Sequence, residues 1–167
     1  MSGKNDYPIK KVSIICAKGS LEDAYAALVM GNGAVMEGIE ANLFFTFFGL
    51  EAIMKKHMDH LHTSTVGNPA MRLPGGARLP TMMGGLPGME GMVSKMMRKG
   101  MDDLDIPPVS EFLELIDAGG GEIYACKLAV DMFKLKKEDF SEYVKDIITI
   151  GEFYEKAGGE GSHIIFT

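Results

Sequence analysis

Cys16 and Cys126 are the only cysteines in this chain and the residues best suited to covalent chemistry. Cys126 follows the short apolar run Glu122-Ile-Tyr-Ala125 and precedes a segment, through Phe133, that reads as helix, so it stands where strand becomes helix. A thiol at a helix start meets the positive end of the helix dipole, which favours the nucleophilic thiolate. The ammonium of Lys127, next in sequence, would add to that effect. A buried cysteine filling a helix–sheet interface explains the same position. Cys16 ends the β-branched run Lys11-Val-Ser-Ile-Ile-Cys16, where packing is the simpler account, although Lys18 and a helix beginning near Ser20 lie close. Cys126 is therefore the first candidate nucleophile and Cys16 the second. Lys18, Thr46 and Lys127 are the groups placed to steady an anion bound there.

Other chemistries have weaker support. His57, His60 and His62 with Asp59 form a cluster, but their spacing matches no strong zinc signature, and a solvated helix end explains them. His163 is uninformative. Gly31-Asn-Gly33 lies inside a helix instead of between strand and helix, so it is no dinucleotide fingerprint. Gly19-Ser20 lacks the rest of a phosphate-binding loop, and no Gly-x-Ser-x-Gly elbow occurs. No metal site is expected.

The elements that must position the thiols alternate. Lys11–Cys16 reads as a first strand, and Ser20 with Asp23 as an N-cap pair for a helix running toward Met36 or Glu37. Ala41–Phe48 is too aromatic and too short for helix and reads as strand two. The spacing over Leu50–His60 predicts a second helix. Pro108–Asp117 predicts a third, stopped by Gly119-Gly-Gly121, before strand three and the helix that Cys126 opens. In the tail a short helix from Phe140, a strand near Ile147–Ile150, a helix over Gly151–Lys156 and a last strand His163–Phe166 are expected. This βα repetition implies a mainly parallel sheet with helices on both faces and ligands at the carboxyl ends of the strands. Cys16, Thr46 and Cys126 fall at such ends. Were the first and third strands neighbours, the thiols would be about 5 Å apart; with one strand between them, about 10 Å.

With 167 residues, 46% hydrophobic and 24% charged, the chain fits one domain spanning residues 1–167 with a substantial core. A formal net charge of −6 opposes nucleic-acid binding. No basic region followed by an apolar run opens the sequence, and no apolar stretch is long enough to span a bilayer, so a soluble cytoplasmic protein is expected. From His62 to Gly100 the composition turns to Gly, Pro and Met, with Pro69, Pro74, Pro80 and Pro87 interrupting regular structure and Met89–Met101 forming at most one short helix. This insert is locally basic through Arg72, Arg78, Lys95, Arg98 and Lys99. Its methionines offer an adaptable contact for a partner protein or a membrane surface, while a solvated loop explains the same composition.

Val12-Ser-Ile-Ile-Cys-Ala-Lys-Gly-Ser-Leu-Glu-Asp-Ala-Tyr25, the Phe44-Phe-Thr-Phe-Phe-Gly49 run and Tyr124-Ala-Cys-Lys-Leu-Ala-Val-Asp-Met132 resemble the DsrE/DsrF-like family. The resemblance spans nearly all of the chain outside the insert. It implies a three-layer α/β/α sandwich with a five-stranded sheet, no cofactor, and assembly into homo-oligomers. It also implies sulfur carried as a cysteine persulfide and exchanged with rhodanese-type proteins or small sulfur-carrier proteins. The family's sulfur-accepting cysteine maps onto Cys126, and Cys16 is similar to a second cysteine of one branch. Some related chains have apparent membrane segments where the insert lies, which leaves peripheral membrane contact open. Sulfur transfer through Cys126 is the leading expectation. The residues alone also suit a non-catalytic interaction protein, or a thiol redox switch that pairs Cys16 with Cys126.

Overall fold

A computed structural model describes residues 9–66, 68, 70, 76–78 and 80–167; Pro69, Arg72 and Pro74 of the insert lie outside the described residues. Five strands form one parallel sheet: β1 (Lys11–Cys16), β2 (Glu40–Phe45), β3 (Glu122–Cys126), β4 (Val144–Ile148) and β5 (Ser162–Phe166). Their order is β4-β3-β2-β1-β5. The three central strands are buried or half-buried along almost their whole length because both of their faces are covered.

The helices are α1 (Leu21–Met36), α2 (Met89–Asp102), α3 (Val109–Ala118), α4 (Lys127–Phe133) and α5 (Ile150–Ala157). α1 packs on β1 and β2 and against α3, which covers β3; α5 packs on β1, β2 and β5, and α4 continues directly from β3. The Ser20 hydroxyl accepts from the Asp23 amide and opens α1 as its sequence foretold. Gly31, midway along α1, has a packing role: a Cβ there would lie 2.9 Å from Leu43 Cδ1, so glycine lets the helix settle on β2. Among the described residues no helix is long and apolar enough to cross a membrane.

Two expected helices are absent. Instead of a helix over Leu50–His60, the chain makes 3-10 turns at Phe47–Ile53 and Met58–His60. The cause is close approach at the sheet's carboxyl edge, where the Gly49 amide donates to the carbonyls of Ala17 and Thr46. Met54 then pairs with Phe140, and the Ser141 amide donates to Ile53. That pairing also replaces the helix expected from Phe140, and the β-branched residues Val144, Ile147 and Ile148 extend as β4. The insert contributes more regular structure than its composition suggests, since α2 buries Val93 and Ser94, and the Ser94 hydroxyl accepts from the Thr63 amide.

Gly49→Ala should destabilise the domain by about 1–3 kcal/mol. Its Cβ would fall 2.2 Å from the Cys16 carbonyl oxygen and 2.8 Å from the carbonyl carbon, and backbone cannot step aside as a side-chain tip can. Urea denaturation measures the difference, and wild-type stability would show that the turn relaxes freely.

At the opposite end of the sheet Glu122 receives hydrogen bonds from Lys145 and Tyr124, with Lys156 Nζ 3.9 Å from its carboxylate and 4.8 Å above the Tyr124 ring. Burial alone would raise the Glu122 carboxyl, but the Lys145 and Tyr124 bonds and the two ammonium groups outweigh it and hold it below its ordinary 4.5. A depressed folded value means that the cluster's stabilisation is complete above pH 4.5 and is lost as pH falls through the lower value. The stability gap between wild type and Glu122→Gln should therefore narrow on acidification, and a gap that does not change with pH would contradict the assignment.

Candidate functional site

The two thiols stand at the same end of the sheet but are not neighbours. Register pairs Cys16 with Phe45 and Phe45 with Ala125, so β2 lies between the cysteine strands, the case of about 10 Å. Side chains in register share a face, and faces alternate along a strand. Cys16 therefore faces α1 with Phe45 and Ala125, while Cys126, one residue beyond Ala125, faces the α5 side with Phe44 and Ile15. A disulfide needs Cα atoms about 4.4–6.8 Å apart, so the redox-switch pairing requires the backbone to rearrange.

Cys16 is fully buried, and its thiol donates to the Lys18 carbonyl at 3.5 Å. Burial raises the thiol above its ordinary value, and contacts with Thr167 and the Lys18 carbonyl offset this only in part. Lys18 belongs to the same side, its Nζ 3.2 Å from Asp23 Oδ1 at the start of α1.

Cys126 opens into a cavity of about 540 Å³. The cavity is lined by Ile15 from β1, Phe44 from β2, Phe166 from β5, Leu128 from α4 and Ile150 from α5, with Phe47 and Thr46 closing one side. The thiol residue is 7% exposed and is the N-cap of α4, without its side chain capping the helix. The first-turn amides of α4 thus lack both a helical acceptor and a cap from Cys126. Lys127 lines the cavity, with Nζ 3.2 Å from Asp131 Oδ2; both side chains are more than half exposed, so this i,i+4 pair contributes only about 0.3–0.5 kcal/mol. Lys127 is lightly held.

Thr46 is placed by its amide, which donates to the Cys16 carbonyl at 2.9 Å. Phe47 next to it has φ 46°, a left-handed conformation that costs a non-glycine residue about 1–3 kcal/mol. The turn fixed by Gly49 holds it there, and its ring becomes a wall of the cavity. Of the residues expected to serve chemistry, the cavity gathers Cys126, Thr46 and Lys127, whereas Cys16 and Lys18 lie across the sheet. The histidines disperse: His57 Nδ1 lies 2.8 Å from Glu51 and His62 Nδ1 3.1 Å from Glu90, and Asp59 accepts from the Ser110 amide at the start of α3.

Thr149 and Ile150 also line the cavity and escaped the sequence reading. Thr149 caps α5 through a reciprocal box with Glu152, whose amide donates to the threonine hydroxyl and whose carboxylate accepts from the threonine amide at 2.7 Å. Thr149-x-x-Glu152 is the signature that would have located the turn.

A sulfur carrier protein, DsrE2, of Allochromatium vinosum is 35% identical over 151 residues, covering 89% of this chain and 93% of that protein. An uncharacterized protein of Bacillus subtilis, YrkE, is 25% identical over 133 residues, covering 78% and 81%. Among solved structures, a protein of unknown function from Methanobacterium thermoautotrophicum superposes with a TM-score of 0.52 at 10% identity, covering 94% of this chain and 98% of that one. The ychN protein from E. coli does so with a TM-score of 0.51 at 11% identity, covering 95% and 100%. These two share the fold. With the model of one family matching residues 8–163, from before β1 into β5, the chain belongs to the DsrE/DsrF/DrsH-like family.

Proposed function

We propose that this protein carries sulfane sulfur on Cys126 and passes it between donor and acceptor proteins in the cytoplasm. The observation that carries the reading is the position of Cys126, nine-tenths buried at the wall of an apolar cavity open to solvent. The named role of the A. vinosum relative, a sulfur carrier, supports it.

In loading, the Cys126 thiolate attacks the outer sulfur of a donor persulfide. A bond forms to Sγ, the donor's S–S bond breaks, and the donor thiolate leaves with the electron pair. Unloading is the same displacement by an acceptor thiolate on the outer sulfur of Cys126, so no oxidant is consumed. In this reading the Thr46 hydroxyl and the Lys127 ammonium, which line the cavity with Cys126, and the first-turn amides of α4 steady the persulfide anion.

Phe48, Leu128, Met132 and Phe133 are exposed beside the cavity, with Phe48 and Phe133 rings 5.9 Å apart. Such an apolar rim supports contact with a sulfur-carrier or rhodanese-type partner, or with a second copy in a homo-oligomer. On α2, exposed Lys95, Lys99, Met92 and Met96 support recruitment of an acidic partner, or peripheral contact with a membrane surface.

Mass spectrometry of the protein after exposure to a persulfide donor tests the central claim. Added sulfur is expected on Cys126. Its absence there, with sulfur on other thiols, would overturn the assignment.

A further inference from the structure

The cavity beside Cys126 is far larger than one added sulfur atom needs. A water-sized group occupies about 30 Å³ of liquid, against the 540 Å³ found here. We infer that Cys126 carries a chain of sulfane sulfur atoms in this cavity, which makes hydrogen polysulfides a substrate class of the site. The inference rests on Cys126 being the sulfur acceptor.

Three observations support it. The walls are chiefly the apolar side chains of Ile15, Phe44, Phe47, Leu128, Ile150 and Phe166. Inner sulfurs of a chain are soft, polarizable and without charge, and they gain contacts against aromatic rings. A hydrophilic sulfur oxyanion would instead lose its hydration against walls that return few hydrogen bonds. Thr46 lines the same space, is nine-tenths buried, and its hydroxyl makes no hydrogen bond among the described residues. Because that hydroxyl is not enclosed, it meets water in the cavity and is free to exchange that water for an anionic chain end. Lys127 and Asp131 both line the cavity and pair with each other, so this wall carries no net charge until the exposed Lys127 ammonium leaves Asp131 for the chain end.

The step balances without a further reagent. The Cys126 thiolate attacks the sulfur adjoining the terminal SH of a hydrogen polysulfide. A bond to Sγ forms, the S–S bond to the SH group breaks, and HS⁻ leaves with the electron pair. The remaining chain stays on Sγ with its far end anionic.

The full chain should be treated in parallel with sodium tetrasulfide and with glutathione persulfide, then desalted and analysed by intact mass and by cyanide release of sulfane sulfur. The tetrasulfide sample is expected to carry two or more sulfur atoms on Cys126. Ile150→Trp, which fills the mouth from α5, should shift that population several-fold toward the one-sulfur adduct. Leu128→Trp, at a position 70% exposed, does the same from α4 with little risk to folding. Thr46→Val should shed the longer adduct several-fold faster. One sulfur from both donors, with the tryptophan variants loading as wild type does, overturns the chain and leaves the cavity to an apolar side chain of a partner protein. No sulfur from either donor overturns sulfur transfer through Cys126 itself.

Discussion

Replacing Cys126 with serine is expected to reduce sulfur loading and relay transfer to the level of a buffer control while the fold is kept. The hydroxyl is a poor nucleophile at neutral pH, and no other thiol lines the cavity, since Cys16 faces the other side of the sheet. The substitution is nearly isosteric and falls on an N-cap, where serine is among the preferred residues. Its oxygen can accept from the α4 amides that the cysteine leaves uncapped, so the helix should be no less stable. Loss of loading in a variant with wild-type melting behaviour is then a chemical loss. A folded Cys126→Ser protein that still supports transfer in a reconstituted relay would show that the thiol is a packing residue.

Phe153→Ala should cost about 3–5 kcal/mol, the usual loss for a fully buried phenylalanine. Phe153 has no exposed surface, and its ring stacks on Phe44 with centroids 4.6 Å apart and planes inclined by 25°. It is the main apolar anchor of α5, whose other buried residue is the small Ala157. Domains of this size have roughly 5–15 kcal/mol to lose, so the midpoint of thermal unfolding should fall by on the order of 10 °C. Because Phe44 is also a cavity wall, the variant should release bound sulfur faster as well. A loss under about 1 kcal/mol in urea would mean that the α5 layer repacks around the gap.

The sheet was legible where local signals agreed with their surroundings. Lys11–Cys16 is largely apolar and β-branched, Ser20 is a cap followed by a helical stripe, and Gly120, with φ 85°, ends α3 just past its cap Gly119 as glycine after a helix commonly does. The parallel arrangement followed from alternation, and the five-stranded sandwich from the family resemblance. Segments whose conformation is set by distant partners were not legible. Leu50–His60 has helical spacing, but Gly49 pressed on the Cys16 backbone and Met54 paired with Phe140 decide its path. The stretch from Phe140 to Ile148 fits both periods, and only its place beside β3 selects strand. The candidate site was half legible. Cys126, Thr46 and Lys127 were found from element ends, but Ile15, Phe44, Phe166 and Thr149 join them only through strand order and register. Local sequence does not carry that information.

Strand alternation at the carboxyl edge has a kinetic consequence. With β2 between them and their side chains turned to opposite faces, Cys126 and Cys16 are insulated from each other. A persulfide formed on Cys126, as proposed, would have no resolving thiol within reach in its own domain and would not discharge internally to a disulfide and hydrosulfide. Its lifetime would then be governed by encounters, with the sulfur leaving when another molecule reaches the cavity. Such a site would behave as a one-door store, whose turnover is expected to rise with the concentration of whatever comes to collect.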